Sequence, residues 1–411
     1  MNKKVRNLVI LFLFIFQHAI FGQFSASKVE ALQQLLDSII APVKEANITV
    51  STKVVHADKY KTLYEYQPET KVIPASITKL VTSACALSKL GQGYVFQTVI
   101  YTDDNNITDG IVHGNVYLKG FGDPDLNSTD IQYLSDLLIK SNIKEITGNI
   151  VADESYFDNE YYCLSGYYSG DTGPSYWPYV NALPLNKNEG YTNPAVSAGE
   201  LLSSDLTSAG VTFTGSVISG TTPKAAREIG RITHSIFDVL SHMNKESDNH
   251  SAITIFKLLG AKLKSDPGSL KGGQEVIESF LSEIGIDRYS YEILEGSGLT
   301  RYNKVNAEMY IKLLKYMYDD RFLFDYYYNS LSIAGKDGTL KNRMIGTEAE
   351  GNVHAKTGTL NGVSALSGYV VDEDNEILIF FIVMNGFGGE YNFVKSVQDN
   401  FCISLAQFSR K

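Results

Sequence analysis

An α+β fold, an antiparallel sheet flanked by helices and interrupted by a mostly β insertion, is what this 411-residue sequence predicts. Three observations carry that reading. Helical apolar periodicity occupies both the first 90 residues and the stretch after about 236. Short strands broken by Gly, Asn and Asp turns fill the interval between them, and the chain ends in a strand-rich segment. Hydrophobic residues make up 44% of the chain, ample for a large core and for two domains.

The elements follow in order. Val29 to Ile40 reads as a helix with Leu32, Leu35, Leu36 and Ile39 on one face. Ile48 to Val55 and Thr62 to Tyr66 read as a hairpin. Pro74 then opens a helix from Ser76 to Leu90, where Leu80, Val81, Ala84, Cys85 and Leu87 mark a buried element. From Gly91 the texture changes. Gln97 to Tyr101, Gly110 to Leu118, Gly148 to Asp153 and Val211 to Ile218 are strand candidates, with a helix over Asp130 to Lys140 and a tyrosine-rich, turn-rich stretch from Tyr156 to Tyr191. Helical patterning returns at Ile236 to Met243, Ala252 to Leu263, Gly272 to Ile284 and Lys304 to Tyr318. Ala365 to Val371 and Ile377 to Met384 flank the turn Asp372 to Asn375 as an antiparallel hairpin. Asn392 to Lys411 reads as an amphipathic helix.

Lys3, Lys4 and Arg6, the apolar run Leu8 to Phe16 and the small residues up to Gly22 have the layout of a secretory leader cleaved before Gln23. The run is short for a bilayer span of about 20 residues. A soluble exported mature chain is therefore expected, with no stable membrane anchor after cleavage. The expected division is a leader over 1–22, a first catalytic part over 23–92, the insertion over 93–232 and a second catalytic part over 233–411.

The formal net charge of −10 argues against nucleic acid as a partner, since phosphate binding needs clustered Lys and Arg. Cys85, Cys163 and Cys402 have no metal-ligand spacing, and the seven His residues form no HExxH pair. No metal or cofactor is implied. Cys85 is expected to be a buried thiol, and a bridge between Cys163 and Cys402 is conceivable in an oxidising compartment.

Three short motifs carry chemistry. In Ser76-Ile77-Thr78-Lys79, residues three apart share a helix face, so the Lys79 amine can reach the Ser76 hydroxyl. Serine is a weak nucleophile until a base takes its proton, and an amine serves only if burial and nearby cations lower its pKa. Ser247-Asp248-Asn249 sits in a tight connection between two helices. Its serine can relay a proton to a leaving group, and Asn249 can bond a substrate amide. Lys356-Thr357-Gly358-Thr359 suggests a strand edge along which an extended peptide could pair. There Lys356 supplies positive potential and Thr357 meets a carboxylate. Gly358 permits close approach, and the Thr359 N–H completes an oxyanion hole with that of Ser76. Alone, each motif has an ordinary explanation: a surface helix start, a polar N-cap turn, a bland strand. Their joint occurrence, in this order and on these element types, points to an active-serine acyltransferase.

With those motifs in hand, the sequence resembles the class C low-molecular-mass penicillin-binding proteins, the D-alanyl-D-alanine carboxypeptidase/endopeptidase family of serine peptidases. Pro74 to Lys79, Gly120 to Pro124, Asp153 to Phe157, Gly296 to Leu299, Ala334 to Leu340 and His354 to Gly368 carry the likeness. The long interval between Lys79 and Ser247 is filled in that family by a separate domain. The resemblance implies a penicillin-binding/β-lactamase-like transpeptidase domain acting on peptidoglycan stem peptides, β-lactams as covalent inhibitors, and a periplasmic location. It further implies that Asp153 pairs with an amino group of the substrate's peptide stem. Two departures stand out: Glu295 replaces the family's usual aspartate before Gly-Ser-Gly, and the insertion is shorter than in long members. A β-lactamase and a catalytically silent wall-binding protein of the same fold remain as alternatives.

Overall fold

The computed structural model describes residues 27–162, 176–264 and 267–411; the expected leader and Cys163 lie outside them. A six-stranded antiparallel sheet is the centre of the catalytic part. Its strands run in the order Ser332–Ile333, Val353–Leu360, Val363–Val371, Ile377–Asn385, Thr49–His56, Lys61–Tyr66. Strand Ile377–Asn385 shows why the sheet is buried on both sides. Leu378, Phe380, Ile382 and Met384 face one layer while Ile379, Phe381 and Val383 face the other, so the period-2 alternation is apolar throughout. The first layer is made by the 27–45 helix and the Tyr391–Ala406 helix. The second is a helical bundle that includes Ile236–Lys245, Asn249–Leu263, Leu270–Glu283 and Ala307–Asp319 around the buried helix Thr78–Leu90. Among the described residues, no helix is long and apolar enough to cross a membrane.

Between Thr78–Leu90 and Ile236–Lys245 the chain builds a second body. A five-stranded sheet has the order Arg227–Ser235, Val95–Thr102, Val116–Gly120, Ile150–Asp153, Val217–Ser219, and beside it lies a small parallel sheet of three two-residue strands. The first and last long strands of this insertion pair antiparallel from Val95↔Ser235 to Thr102↔Arg227, which brings its entry and exit together. Among the described residues the insertion also holds two α-helices. Ser128–Lys140 matches the sequence reading and is capped by Asn127. Pro194–Ser208 had not been expected, because its inward face is made largely of small residues, Ala195, Ala198 and Gly199, with only Leu202 and Leu206 to mark it. Two predicted strands are each split: Asn115 and its neighbours turn the chain between Ile111–Val112 and Val116–Gly120, and Gly215 lies between Thr212–Phe213 and Val217–Ser219.

Cys85 and Cys402 are both buried, Cys402 inside the Tyr391–Ala406 helix. Burial raises both thiols far above their ordinary range, as expected of cysteines that act as small apolar residues.

The return from the insertion is clamped by charge. His234 Nδ1 lies 2.7 Å from Asp123 Oδ2, and Nε2 lies 3.6 Å from Asp130 Oδ2, two residues before Ile236 opens the helix that leads to Ser247. Asp123, then Asp130, raises His234 from 6.5 to about 10. A group held above its ordinary value stabilises the fold fully below that value and loses the contribution as pH rises through the raised one. Melting temperatures of the wild type and His234→Gln should therefore differ most below pH 6.5 and converge above about pH 10. A gap that stays constant over that range would contradict the clamp.

Candidate active site

The nucleophile turn begins with a backbone constraint. Ala75 has φ +49°, a left-handed conformation that L side chains avoid. An α-helix cannot run through it, so Ser76 lies in a single 3-10 turn, Ala75–Ile77, and the α-helix starts at Thr78, later than the sequence suggested. The turn is over-determined by its neighbours. Thr78 Oγ1 donates to the Ala75 carbonyl at 2.9 Å, and Gly298, at φ +86°, packs so closely that an added methyl would overlap that carbonyl. Strain held in this way is a recurrent property of reactive sites.

Lys79, fully buried in the first turn of the helix, is the hub. Its Nζ lies 3.2 Å from Ser76 Oγ, 2.7 Å from Asn249 Oδ1 and 2.7 Å from the Ser297 carbonyl. Burial lowers it to about 8, while Glu295 and Asp248 pull the other way. Two of its N–H positions thus face fixed acceptors, and the third faces the serine hydroxyl.

The Ser247-Asp248-Asn249 turn closes the second side. Ser247 adopts φ +60°, which ends the preceding helix and aims its hydroxyl at Lys356, whose Nζ donates to Ser247 Oγ at 2.9 Å. Asp248 is the N-cap of the Asn249–Leu263 helix and accepts from His250 N at 3.1 Å and Ser251 N at 3.0 Å. Burial acts to raise Asp248, but Lys187 and the neighbouring donors hold it well below the usual carboxylate range.

The third side is the strand Val353–Leu360. On one edge it pairs fully with Val363–Val371, but on the other Ser332–Ile333 covers only Ala355 and His354. From Lys356 onward that edge has no strand partner among the described residues, which leaves it available for an extended peptide. Lys356 is fully buried, Thr357 half-buried and Thr359 exposed. A methyl at Gly358 would lie 2.6 Å from the Pro74 carbonyl and 3.1 Å from Ser76 N, so the absent side chain is what lets the strand run beside the nucleophile turn. Burial, and then the proximity of Lys79, push Lys356 well below an ordinary lysine. A cavity of about 590 Å³ opens alongside, lined in part by Ser247, Asn249, Lys187, Tyr179 and Tyr191.

Ser76, Lys79, Ser247, Asn249, Lys356, Thr357, Gly358 and Thr359 therefore lie side by side, joined by the contacts of Lys79, Lys356 and Gly358. Asp153 does not join them. Its fully buried carboxylate accepts from Ser155 and Thr222 and pairs with Lys119 at 3.2 Å, all within the insertion. The motif reading missed two groups. The Ser297 carbonyl orients Lys79, and the buried Glu295 carboxylate shapes the turn by accepting from Ser297 N at 2.6 Å and Gly298 N at 2.7 Å. Gly-Ser-Gly after an acid was the available signal. Thr339 is a further addition, accepting from Thr357 Oγ1 at 2.8 Å.

If Gly298 fixes the nucleophile, Gly298→Ala should slow labelling of Ser76 by benzylpenicillin by about 100-fold, the effect of ångström-scale misplacement. Gly285→Ala is the control: it has the same positive φ, +74°, but open space around it. Equal slowing in both variants, or none in Gly298→Ala, would contradict the role of the contact.

The model of the D-Ala-D-Ala carboxypeptidase 3 (S13) family matches residues 32–196 and 190–407. A D-alanyl-D-alanine carboxypeptidase from Actinomadura sp. strain R39 is 29% identical, covering 94% of this chain and 86% of its own. One from Haemophilus influenzae is 25% identical over 79% of this chain and 82% of its own. The crystal structure of penicillin-binding protein 4 from Haemophilus influenzae superimposes with a TM-score of 0.75, at 22% identity, over 92% of this chain and 98% of that one. A predatory endopeptidase from Bdellovibrio bacteriovorus gives 0.54 at 19% identity over 87% and 91% of the two chains, and both likenesses speak for the fold. By the extent of the family match and the shared fold, the chain belongs to the D-Ala-D-Ala carboxypeptidase 3 (S13) family.

Proposed function

We propose that the protein is a serine D-alanyl-D-alanine carboxypeptidase and/or endopeptidase that trims peptidoglycan stem peptides through an acyl-enzyme on Ser76. The observation that carries this is the buried Lys79 amine within 3.2 Å of the Ser76 hydroxyl, at the end of an open strand edge. Ser76 Oγ attacks the carbonyl carbon of the scissile amide and its proton passes to neutral Lys79. The N–H groups of Ser76 and Thr359 receive the oxyanion. Ser247, bonded to Lys356, gives its hydroxyl proton to the leaving amine as the C–N bond breaks and takes up in its place the proton that Lys79 had accepted. Water then hydrolyses the ester, and its proton returns along the same route. Asn249 uses its Oδ1 on Lys79, which leaves its amide N–H groups for the substrate carbonyl. Thr357 and Lys356 meet the terminal carboxylate, whose charge restores the protonated form that burial disfavours in Lys356.

On this reading the residues before Gln23 are a leader removed on export, and the mature chain works in the periplasm. The insertion over 93–232 acts as one unit between the catalytic parts over 23–92 and 233–411. β-Lactams acylate the same serine and leave it slowly.

The test is intact-protein mass spectrometry of residues 23–411 after incubation with benzylpenicillin, together with D-alanine release from a D-Ala-D-Ala-terminated peptide. One drug mass on the wild type and none on Ser76→Ala is the expected result, with peptide turnover lost in the same variant. Drug consumed without a lasting adduct would indicate a β-lactamase. A folded protein that neither binds nor consumes the drug would indicate a silent wall-binding protein.

A further inference from the structure

One side chain of the insertion, Lys187, reaches the Ser247-Asp248-Asn249 turn. Asn186, Lys187 and Asn188 are three successive left-handed residues, at φ +48°, +58° and +64°. Asparagine tolerates this conformation; lysine does not. The turn persists because both asparagines lock it. Asn186 Oδ1 accepts from Ser128 N at 3.1 Å, and its Nδ2 donates to Ser128 Oγ at 2.8 Å. Asn188 Oδ1 accepts from Leu185 N at 2.9 Å, and its Nδ2 donates to the Tyr179 carbonyl at 2.9 Å. Out of this frame Lys187 extends across the domain junction. Its Nζ donates to Ser251 Oγ at 2.8 Å, lies 3.2 Å from Asp248 Oδ2 and pairs with Asp125 on its own side.

We propose that Lys187 is a positioning residue for acylation: from the insertion it grips Asp248, fixing the turn that presents Ser247 and Asn249 and balancing the charge that faces Lys79. This rests on the acyl-serine reading above. The charges involved are few. Lys79 faces Asp248, Glu295 and Lys356; Asp248 faces Lys187, His250 and Lys79; Lys187 faces Asp125 and Asp248. His250 is fully buried and burial lowers it to about 4, so at neutral pH it adds no cation that could replace Lys187. Without Lys187, the negative charge of Asp248 is uncompensated and favours the ammonium form of Lys79. Less free amine is then available, and the acid limb of acylation moves to higher pH.

The experiment is the second-order rate of adduct formation with benzylpenicillin across pH, for the wild type, Lys187→Met, Lys187→Arg and Asp248→Asn. Lys187→Met should shift the acid limb upward by roughly half to one unit, a 3- to 10-fold slower reaction on that limb, and Lys187→Arg should restore it. In an Asp248→Asn background, adding Lys187→Met should cause no further shift. A rate lowered equally at every pH, or a profile superimposable on the wild type, would overturn the proposal. Should Lys187→Met fail to fold, Asp248→Asn alone must move the limb downward, and an unmoved limb overturns it. A wild type that forms no adduct would defeat the acyl-serine reading itself, and so is distinguishable from failure of the Lys187 inference.

Discussion

A buried amine with acceptors already arranged around it is the constraint on which the rest depends. Lys79 is held by Asn249 Oδ1 and the Ser297 carbonyl, both at 2.7 Å, and only its third position meets Ser76. An ammonium there satisfies all three neighbours. Losing a proton turns the lone pair toward the serine hydroxyl, because the other two directions are occupied by acceptors. Burial brings this change to about 8, near enough to neutrality for small electrostatic differences to set how much amine is free. The acidic groups nearby, Glu295 and Asp248, are also the residues that shape the two flanking turns, so geometry and charge at Lys79 have the same sources.

The fold supplies those neighbours from distant parts of the chain. The left-handed Ala75 separates the nucleophile turn from the helix that carries the base, and Gly298 and Gly358 let two other segments touch that turn through missing side chains. The doubly buried six-stranded sheet makes the strand beside Ser76 rigid on one edge, while the short partner Ser332–Ile333 leaves the reactive stretch of the other uncovered. The insertion is closed at its exit by the His234 clamp and tied to the catalytic part at Lys187, directly behind the turn that presents Ser247.

What could be read from the sequence was what is local in sequence. Ser76 and Lys79 are three apart, Ser247 and Asn249 two apart, and Lys356 to Thr359 consecutive, so their chemistry survives without a fold. The central strands and amphipathic helices were legible for the same reason, their periodicity being short-range. The failures are non-local or low in contrast. The strand Arg227–Ser235 is polar and half-exposed, and carries no apolar alternation to mark it. The surroundings of Asp153 are set by Lys119 and Thr222, which its motif does not contain. Lys187 could not have been singled out at all. Its role arises from a left-handed turn locked by contacts to Ser128 and Tyr179, and from a partner at Asp248 many residues away.

The account turns on the state of one side chain, and that can be observed directly. In protein carrying isotopically labelled lysine, NMR titration of the ε-methylene and ε-amine signals would follow each lysine in turn, with Lys79→Met to assign the one of interest. The account predicts a resonance, missing from that variant, that titrates near 8. If the Lys79 signal titrates instead at the ordinary lysine value of 10.5 or above, the amine cannot be the base that activates Ser76.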